Sequence, residues 1–210
     1  MRRHRWPLIL GGGMLTGAAL IAAYVVRSRR NPSACPYNQS IVLEFPRPFF
    51  TRDRLRQLLD PRPGERVLEV GPGRGYYALD VAPRLFPGGT LDVFDLQQEM
   101  LDVTMRRAGE RGLTNIVPTQ GEAQALPYAD GTFDAAYLVA TLGEVPDQDA
   151  ALRELRRVLR PGGRLVVGEG LPDPHMIPFD TLRRRAEAAG LCLAHRHGGR
   201  LGYVASFRVP

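Results

Sequence analysis

A glycine-rich loop between a predicted strand and a predicted helix constrains the fold of this chain more than any other feature. The apolar run Arg66–Val70 is followed by Gly71, Gly73 and Gly75, and a helical pattern begins at Tyr76. Glycine lets the backbone turn tightly and approach a ligand closely. The helix start that follows offers unpaired N–H groups to an anionic group. This unit therefore predicts an open α/β sheet with a ligand site at the loop.

Strand-like and helical segments alternate through the rest of the chain. A closing pair of strands, joined by a turn that contains Gly198 and Gly199, is typical of a hairpin. We therefore predict a Rossmann-like α/β fold with a mainly parallel sheet, helices on both faces and an antiparallel last strand. The predicted helices are 52–59, 76–85, 98–111, 148–159 and 179–189; the predicted strands are 66–70, 90–94, 116–119, 133–140, 164–168, 191–196 and 203–209.

The N-terminal residues predict a membrane anchor. Residues 8–26 carry no charge, and as a helix they would measure about 28 Å, close to the hydrocarbon thickness of a bilayer. Trp6 and Tyr24 flank this run as interfacial aromatic residues do. A cleaved signal peptide is the alternative, but arginines occupy the place of its cleavage site. We predict an anchor at 1–30 with a single-pass helix at about 7–26, a proline-rich linker at 31–48 and a catalytic domain at 49–210.

Gly13 and Gly17 have a spacing that permits close helix pairing, so a homodimer through the anchor is possible, although small residues are also simply frequent in this run. Within the anchor, three arginines precede the uncharged helix and three follow it, so the charges favour neither orientation.

The positive charge of the chain does not predict nucleic-acid binding. The net charge is +6, with 28 basic residues, all arginine, against 22 acidic ones. Six of those arginines lie in residues 1–30, which contain no acid, so residues 31–210 are neutral overall. A neutral domain lacks the basic patch that phosphate backbones require. The absence of lysine also excludes a catalytic lysine.

Asp95 is the second candidate ligand residue. It ends the second predicted strand, where a carboxylate can accept hydrogen bonds from both hydroxyls of a ribose. The alternative is a surface cap for the helix that follows. The loop differs from the dinucleotide-binding pattern, because Tyr76 occupies the place of the third glycine. A nicotinamide oxidoreductase is therefore disfavoured.

Four segments in order resemble the class I S-adenosylmethionine-dependent methyltransferase domain. They are VLEVGPGRG, Asp95, GEAQALPYADGTFDAAYL and LRELRRVLRPGGRLVV. The resemblance implies a seven-stranded sheet and S-adenosylmethionine as the cofactor. It assigns Glu69 and the loop glycines to the methionine part, Asp95 to the ribose, and Leu96 or Gln97 with Glu122 and Ala123 to the adenine. The implied cofactor-binding residues are Glu69, Gly71, Gly73, Gly75, Asp95, Leu96, Gln97, Glu122, Ala123 and, near the methyl group, Thr141.

A catalytic base is required only when the methyl acceptor is a weak nucleophile. Glu144 lies just beyond a predicted strand end, and His175 lies in the loop after the fifth predicted strand. Each has a simpler interpretation, Glu144 as a helix cap and His175 as a solvated loop residue. Relatives often carry a histidine pair where this chain has residues 142–144. The two cysteines, Cys35 and Cys192, are too few for a zinc cluster, and no metal site is predicted.

The predicted function is methyl transfer to a small or membrane-soluble acceptor, such as a lipid headgroup, a quinone or isoprenoid, or a thiol. An anchored enzyme would meet such an acceptor in the bilayer, and the catalytic domain would face the cytoplasm, where S-adenosylmethionine is made. The alternative is a non-catalytic membrane scaffold that kept the fold and the cofactor site, since a fold alone does not determine function.

Overall fold

The computed structural model describes residues 23–44 and 49–210 of the chain. Within them, a seven-stranded sheet has the order β3-β2-β1-β4-β5-β7-β6. Strands β1 to β5 run parallel to one another, whereas β7 lies between β5 and β6 and is antiparallel to both. The predicted antiparallel last strand is confirmed. The strands are β1 Arg66–Val70, β2 Thr90–Asp95, β3 Ile116–Gln120, β4 Phe133–Val139, β5 Leu159–Gly170, β6 Cys192–Gly199 and β7 Gly202–Arg208.

The described helices follow the predicted order. Thr51 caps the helix at 52–59, because its side chain accepts a hydrogen bond from the N–H of Arg54. The α-helices are α1 (23–30), α2 Arg52–Leu59, α3 Ala78–Val81, α4 Gln98–Glu110, α5 Gln148–Val158 and α6 Phe179–Ala188. Three 3-10 helices span Tyr37–Glu44, Ala82–Leu85 and Leu142–Glu144.

Two elements differ from the predicted boundaries. The helix predicted at 76–85 is α-helical only over Ala78–Val81 and continues as a 3-10 helix. Pro83 has no N–H to complete the α-helical hydrogen bond, which accounts for the change. Strand β5 begins at Leu159 rather than at 164, because Leu159 already pairs with Phe133 across a register shift in β4.

The sheet is covered on both faces. In β1, Leu68 and Val70 pack into one apolar cluster and Val67 packs into the other, as the alternating direction of strand side chains requires. Four of the five β1 residues are buried. Burial on both faces is the expected environment of a central parallel strand. Because the faces are covered, a ligand can reach the sheet only at the strand ends, and in such sheets it binds at the carboxyl ends.

Most of the predicted membrane segment lies outside the described residues. Residues 8–22, with Gly13 and Gly17, and the flanking Trp6 fall in the part that is not described. Within 23–44 and 49–210, no helix has the length and apolarity needed to span a bilayer. Residues 23–30 form α1, and the Arg29 Nε donates a hydrogen bond to the carbonyl oxygen of Pro174 at 3.2 Å.

Candidate functional site

A cavity of about 340 Å³ lies beyond the carboxyl ends of β1, β2 and β4. Its walls include the loop after β1, the end of β2, the segment after β3, and the residues on either side of and at the end of the 3-10 helix after β4. In doubly wound sheets, ligands bind at this edge because loops from neighbouring strands converge there. The position and volume are those of a small-molecule site.

The glycine loop after β1 adopts a backbone that other residues rarely adopt. Gly71, Gly73 and Gly75 have φ values of 73°, 55° and 82°, in the left-handed region. A Cβ added to Gly71 would lie 2.4 Å from the Thr141 side chain. Gly71 and Gly73 line the cavity. Gly75 does not; it packs against Thr104 of α4 instead, where an added Cβ would be 3.2 Å away.

Asp95 lies in the cavity wall at the end of β2. Its carboxylate accepts a hydrogen bond from the N–H of Gln97 at 2.9 Å. Burial raises the pKa of Asp95 to about 6, while N–H groups of Gln97, Gly73 and Leu96 limit that rise. A buried carboxylate aimed at a cavity is a strong acceptor for ligand hydroxyls.

The residues predicted to contact an adenine also meet at this cavity. Leu96 and Gln97 follow β2, and Glu122 and Ala123 follow β3; all four line the wall. Gly121 between them has no room for a side chain, because an added Cβ would lie 2.6 Å from the Phe94 ring. The close approach of this backbone to Phe94 shapes the cavity at the end of β2.

Glu69 is placed behind the cavity rather than in its wall. It is 2% exposed, and its Oε2 accepts a hydrogen bond from the Tyr137 hydroxyl at 2.8 Å. Burial raises the pKa of Glu69 to about 8, although the Tyr137 hydrogen bond opposes the rise. Glu69 therefore links β1 to β4 directly beneath the glycine loop.

The two predicted bases are separated by the fold. Glu144 lines the cavity, and its Oε2 accepts a hydrogen bond from the N–H of Cys35 at 3.2 Å. His175 lies outside the cavity wall, with its Nδ1 3.5 Å from an Asp173 carboxylate oxygen. The backbone of His175 packs closely on Gly143, because a Cβ added to Gly143 would lie 2.2 Å from the His175 carbonyl oxygen. Of the two, only Glu144 can touch a ligand in this cavity.

Residues 32–37, which we call the covering segment, form a wall that the sequence analysis missed. Pro32, Ser33, Ala34 and Cys35 line the cavity. The Gln97 side chain holds them: its Nε2 donates to the Cys35 carbonyl at 2.9 Å, and its Oε1 accepts from the Tyr37 N–H at 3.1 Å. These contacts use backbone atoms of the covering segment, so no residue pattern in the sequence announces them.

The arrangement fits S-adenosylmethionine in three respects. Gly71 and Gly73 bring bare backbone with left-handed φ values to the cavity wall. The buried Asp95 offers carboxylate oxygens for a ribose. A volume of about 340 Å³ is within the range of about 300–1,000 Å³ that small-ligand sites occupy.

Comparisons with known proteins agree with this geometry. Residues 38–180 match the model of the ubiE/COQ5 methyltransferase family. The nocamycin O-methyltransferase of Saccharothrix syringae is 35% identical over 134 residues, which cover 64% of this chain and 47% of that protein. The ubiquinone/menaquinone biosynthesis C-methyltransferase UbiE of Cellvibrio japonicus is 40% identical over 115 residues, covering 54% and 46%. The chain thus spans about half the length of these curated relatives.

Solved structures share the fold. An S-adenosylmethionine-dependent methyltransferase from Aquifex aeolicus superposes with a TM-score of 0.76 at 21% identity, over 84% of this chain and 100% of that one. The [4+2]-cyclase SpnF superposes with a TM-score of 0.69 at 19% identity, over 99% of each chain. At these identities the likeness extends to the fold alone.

Proposed function

Because the chain belongs to the ubiE/COQ5 methyltransferase family, whose cofactor is S-adenosylmethionine, we propose that it methylates a ring carbon of an isoprenoid quinone precursor. One observation carries the proposal. A single cavity joins the Gly71–Gly73 backbone and Asp95, which suit the cofactor, to the carboxylate of Glu144, which suits an acidic acceptor. The ubiquinone/menaquinone biosynthesis C-methyltransferase activity of the UbiE relatives supports a quinone-type acceptor.

In this proposal, the two ends of the cofactor are held by different walls. The cavity-lining backbone of Gly71 and Gly73, which carries no side chain, faces the methionine part, and Asp95 accepts hydrogen bonds from the ribose. Leu96, Glu122 and Ala123 contact the adenine. Glu69 and Gly75 act from behind, where they fix the loop against Tyr137 and Thr104.

When bound, S-adenosylmethionine supplies a methyl group on a positively charged sulfur, which is a good leaving group. The protein then has two tasks. Its walls position the acceptor against the methyl group and exclude water, through apolar residues such as Val70, Val139 and Val145. The Glu144 carboxylate accepts the proton of a phenolic hydroxyl, which increases the electron density of the ring carbon. That carbon would form its bond to the methyl group as the methyl–sulfur bond breaks. The ring carbon then loses its own proton to solvent, and the phenolic oxygen regains its proton from Glu144.

The test is methyl transfer by the purified chain to a demethylated isoprenoid quinol. Glu144→Gln should lower kcat about 10²- to 10⁴-fold, the usual contribution of a general base, with cofactor affinity unchanged in calorimetry. His175→Gln is the matched control and should retain most activity, because His175 is outside the cavity wall. Equal activities of the wild type and Glu144→Gln would remove Glu144 from the mechanism. Cofactor binding without transfer to any acceptor would favour the scaffold alternative.

O-methylation of a small hydroxyl compound is the second candidate. The nocamycin O-methyltransferase aligns over more residues, 134, than the UbiE relative does, 115. The same proton acceptance by Glu144 would serve a hydroxyl that itself takes the methyl group. Carbon NMR of the product distinguishes the two reactions, since a methyl group on oxygen and one on a ring carbon differ in chemical shift.

We also propose that the uncharged residues 8–26 hold the chain at a membrane with the catalytic domain in the cytoplasm, where the cofactor is made. The support is the length of that run, which matches a bilayer. The full chain should sediment with membranes, and a chain that lacks residues 1–30 should not. A fluorescent reporter fused after Pro210 should be bright inside cells; a dark, exported reporter would reverse the orientation.

A further inference from the structure

We propose that one surface of the catalytic domain rests on an anionic lipid bilayer, an inference that depends on the membrane location proposed above. The surface consists of α1 (23–30), the loop at 171–174 and the tip of the β6–β7 hairpin at 199–202. We call it the bilayer surface. It would add a second, peripheral contact to whatever attachment residues 8–26 provide.

Apolar side chains are exposed at the centre of this surface. Leu171 is 45% exposed and Leu201 is 58% exposed. The two residues are adjacent, because the N–H of Leu171 donates to the Leu201 carbonyl at 2.9 Å. In α1, Tyr24 and Val26 are 60% and 49% exposed. A lipid interface would cover these side chains, as it covers the apolar face of an interfacial helix.

The charges around them are mainly positive. Arg27 and Arg30 in α1 and Arg200 at the hairpin tip are exposed. Residues 190–210 contain no acidic residue, and in 23–43 there is none either. In the loop, Asp173 is only partly exposed and lies against His175. Basic and apolar side chains together are the composition that binds to anionic lipid headgroups.

Continuity of the chain identifies the occupant as a bilayer rather than another protein. The uncharged run at 8–26 ends within α1, whose first four residues it includes, and Arg29 of α1 is hydrogen-bonded to Pro174 in the loop at 3.2 Å. A membrane reached by that run therefore meets the loop and the hairpin tip next to it. Charge complementarity makes the same choice, since the headgroups are negative and the surface is basic.

The bilayer surface borders the cavity. The covering segment follows α1 after one residue, and Pro32 already lines the cavity. On the other side, Gly143 packs against His175, just beyond the loop, and its neighbour Glu144 lines the cavity. A lipophilic acceptor could thus pass from the bilayer to Glu144 without crossing bulk water.

The test uses the full chain on vesicles with acyl chains brominated near the headgroup, which quench nearby tryptophan. Trp6→Phe removes the native tryptophan, and Leu201→Trp or Leu171→Trp adds a reporter to the bilayer surface. Val117→Trp is the matched control, because Val117 is 42% exposed on β3 at the opposite edge of the sheet. On vesicles of phosphatidylglycerol and phosphatidylcholine, both surface reporters should be quenched at least about threefold more than the control. Adding Arg200→Glu should reduce that quenching.

Equal quenching of the surface reporters and the control on sedimented vesicles would overturn the bilayer surface while leaving the anchor proposal intact. Quenching that Arg200→Glu does not change, and that is as strong on pure phosphatidylcholine as on the anionic vesicles, would refute the preference of this surface for anionic lipid. It would therefore also overturn the proposal. Failure of the full chain to sediment with any vesicle would overturn both. Because the readout requires neither cofactor nor acceptor, a chain that is quenched as expected but does not methylate quinols would refute only the proposed acceptor.

Discussion

At the scale of a single residue, the burial of Asp95 has two opposing effects. Its burial suits ligand hydroxyls but penalises its charge, so its pKa rises to about 6 in the fold. The folded chain keeps this proton over a range in which the unfolded chain, with a pKa near 3.8, has released it. The stability that Asp95 contributes is therefore lost as pH rises from about 4 through about 6.

We expect Asp95→Asn to stabilise the cofactor-free protein at pH 8 by about 1–3 kcal/mol, and to do so much less at pH 4. The same change should weaken S-adenosylmethionine binding, because the amide is a poorer acceptor than a carboxylate for ribose hydroxyls. Thermal unfolding at both pH values and calorimetry measure the two effects. Asp102→Asn is the control, since Asp102 is exposed on α4 and does not line the cavity. Unchanged cofactor affinity in Asp95→Asn would contradict the ribose role.

Glu69, which lies behind the cavity wall, predicts a second pH effect. Its pKa is raised from 4.5 to about 8 by burial, so the stability it contributes should be lost as pH rises from about 4.5 through about 8. Glu69→Gln keeps the size and removes the ionisation. Chemical denaturation between pH 5 and 9 should show a shallower decline for the variant, and the variant should be the more stable protein at pH 9. Parallel curves for the two proteins would contradict the buried, protonated state.

The sequence identified residues best where the backbone itself is constrained. Gly71 and Asp95 were predicted because a turn after a strand needs glycine and a strand end faces the ligand edge, and both line the cavity. Glu69 and Gly75 belong to the same motif but lie behind the cavity, because chain order does not determine which way a side chain faces. The difference between Glu144 and His175 depends on how two loops pack, and a single sequence does not contain that information.

At the scale of elements, the covering segment is the feature with the clearest consequence. Gln97 makes two hydrogen bonds to it, at Cys35 and at Tyr37, and Glu144 makes a third, with Cys35. Gln97→Ala should therefore loosen the segment even without cofactor. Amide hydrogen exchange at Tyr37 should become on the order of tenfold faster, if the lost bonds together contribute about 1.4 kcal/mol.

Gln98→Ala is the matched control for that experiment. Gln98 is the next residue, and its side chain bonds to Asp102 on the exposed face of α4 rather than to the covering segment. In the Gln98→Ala variant, the rates of amide hydrogen exchange at Cys35 and Tyr37 should equal those of the wild type. If both variants exchange alike, Gln97 does not hold the segment.

Helices and strands were predictable because their apolar periodicity is local. Helix α2 agrees with its predicted bounds residue by residue, whereas the helix after the glycine loop is shorter because of Pro83. The covering segment was predicted only as linker, since proline-rich sequence without apolar periodicity has no signal for a wall. Its contacts are made by backbone groups, which every sequence possesses.

At the scale of the whole molecule, the sheet order brings distant segments to one edge. The cavity is built from segments that follow β1, β2, β3 and β4, together with the covering segment from near the start of the described chain. Alternating strands and helices predicted that edge, because right-handed crossovers place successive strand ends side by side. How the N-terminal residues contribute to the same site required the tertiary structure.

Two truncations separate attachment from cofactor binding. A chain that begins at Pro32 lacks α1 but keeps the covering segment, whereas one that begins at Tyr37 lacks α1 and all of the covering segment except Tyr37. Among the described residues 23–31, removal breaks the exposed Arg29–Pro174 hydrogen bond and deletes no residue of the cavity wall, so cofactor affinity should change less than about twofold. Removal of 1–36 also deletes the cavity wall at Pro32–Cys35 and the two bonds at Cys35. At about 0.5–1.5 kcal/mol each, their loss should weaken S-adenosylmethionine binding about tenfold in calorimetry.

Both truncated chains should lose membrane sedimentation equally, so a difference in affinity between them reports the covering segment alone. Equal affinities would mean that the segment does not close over the bound cofactor.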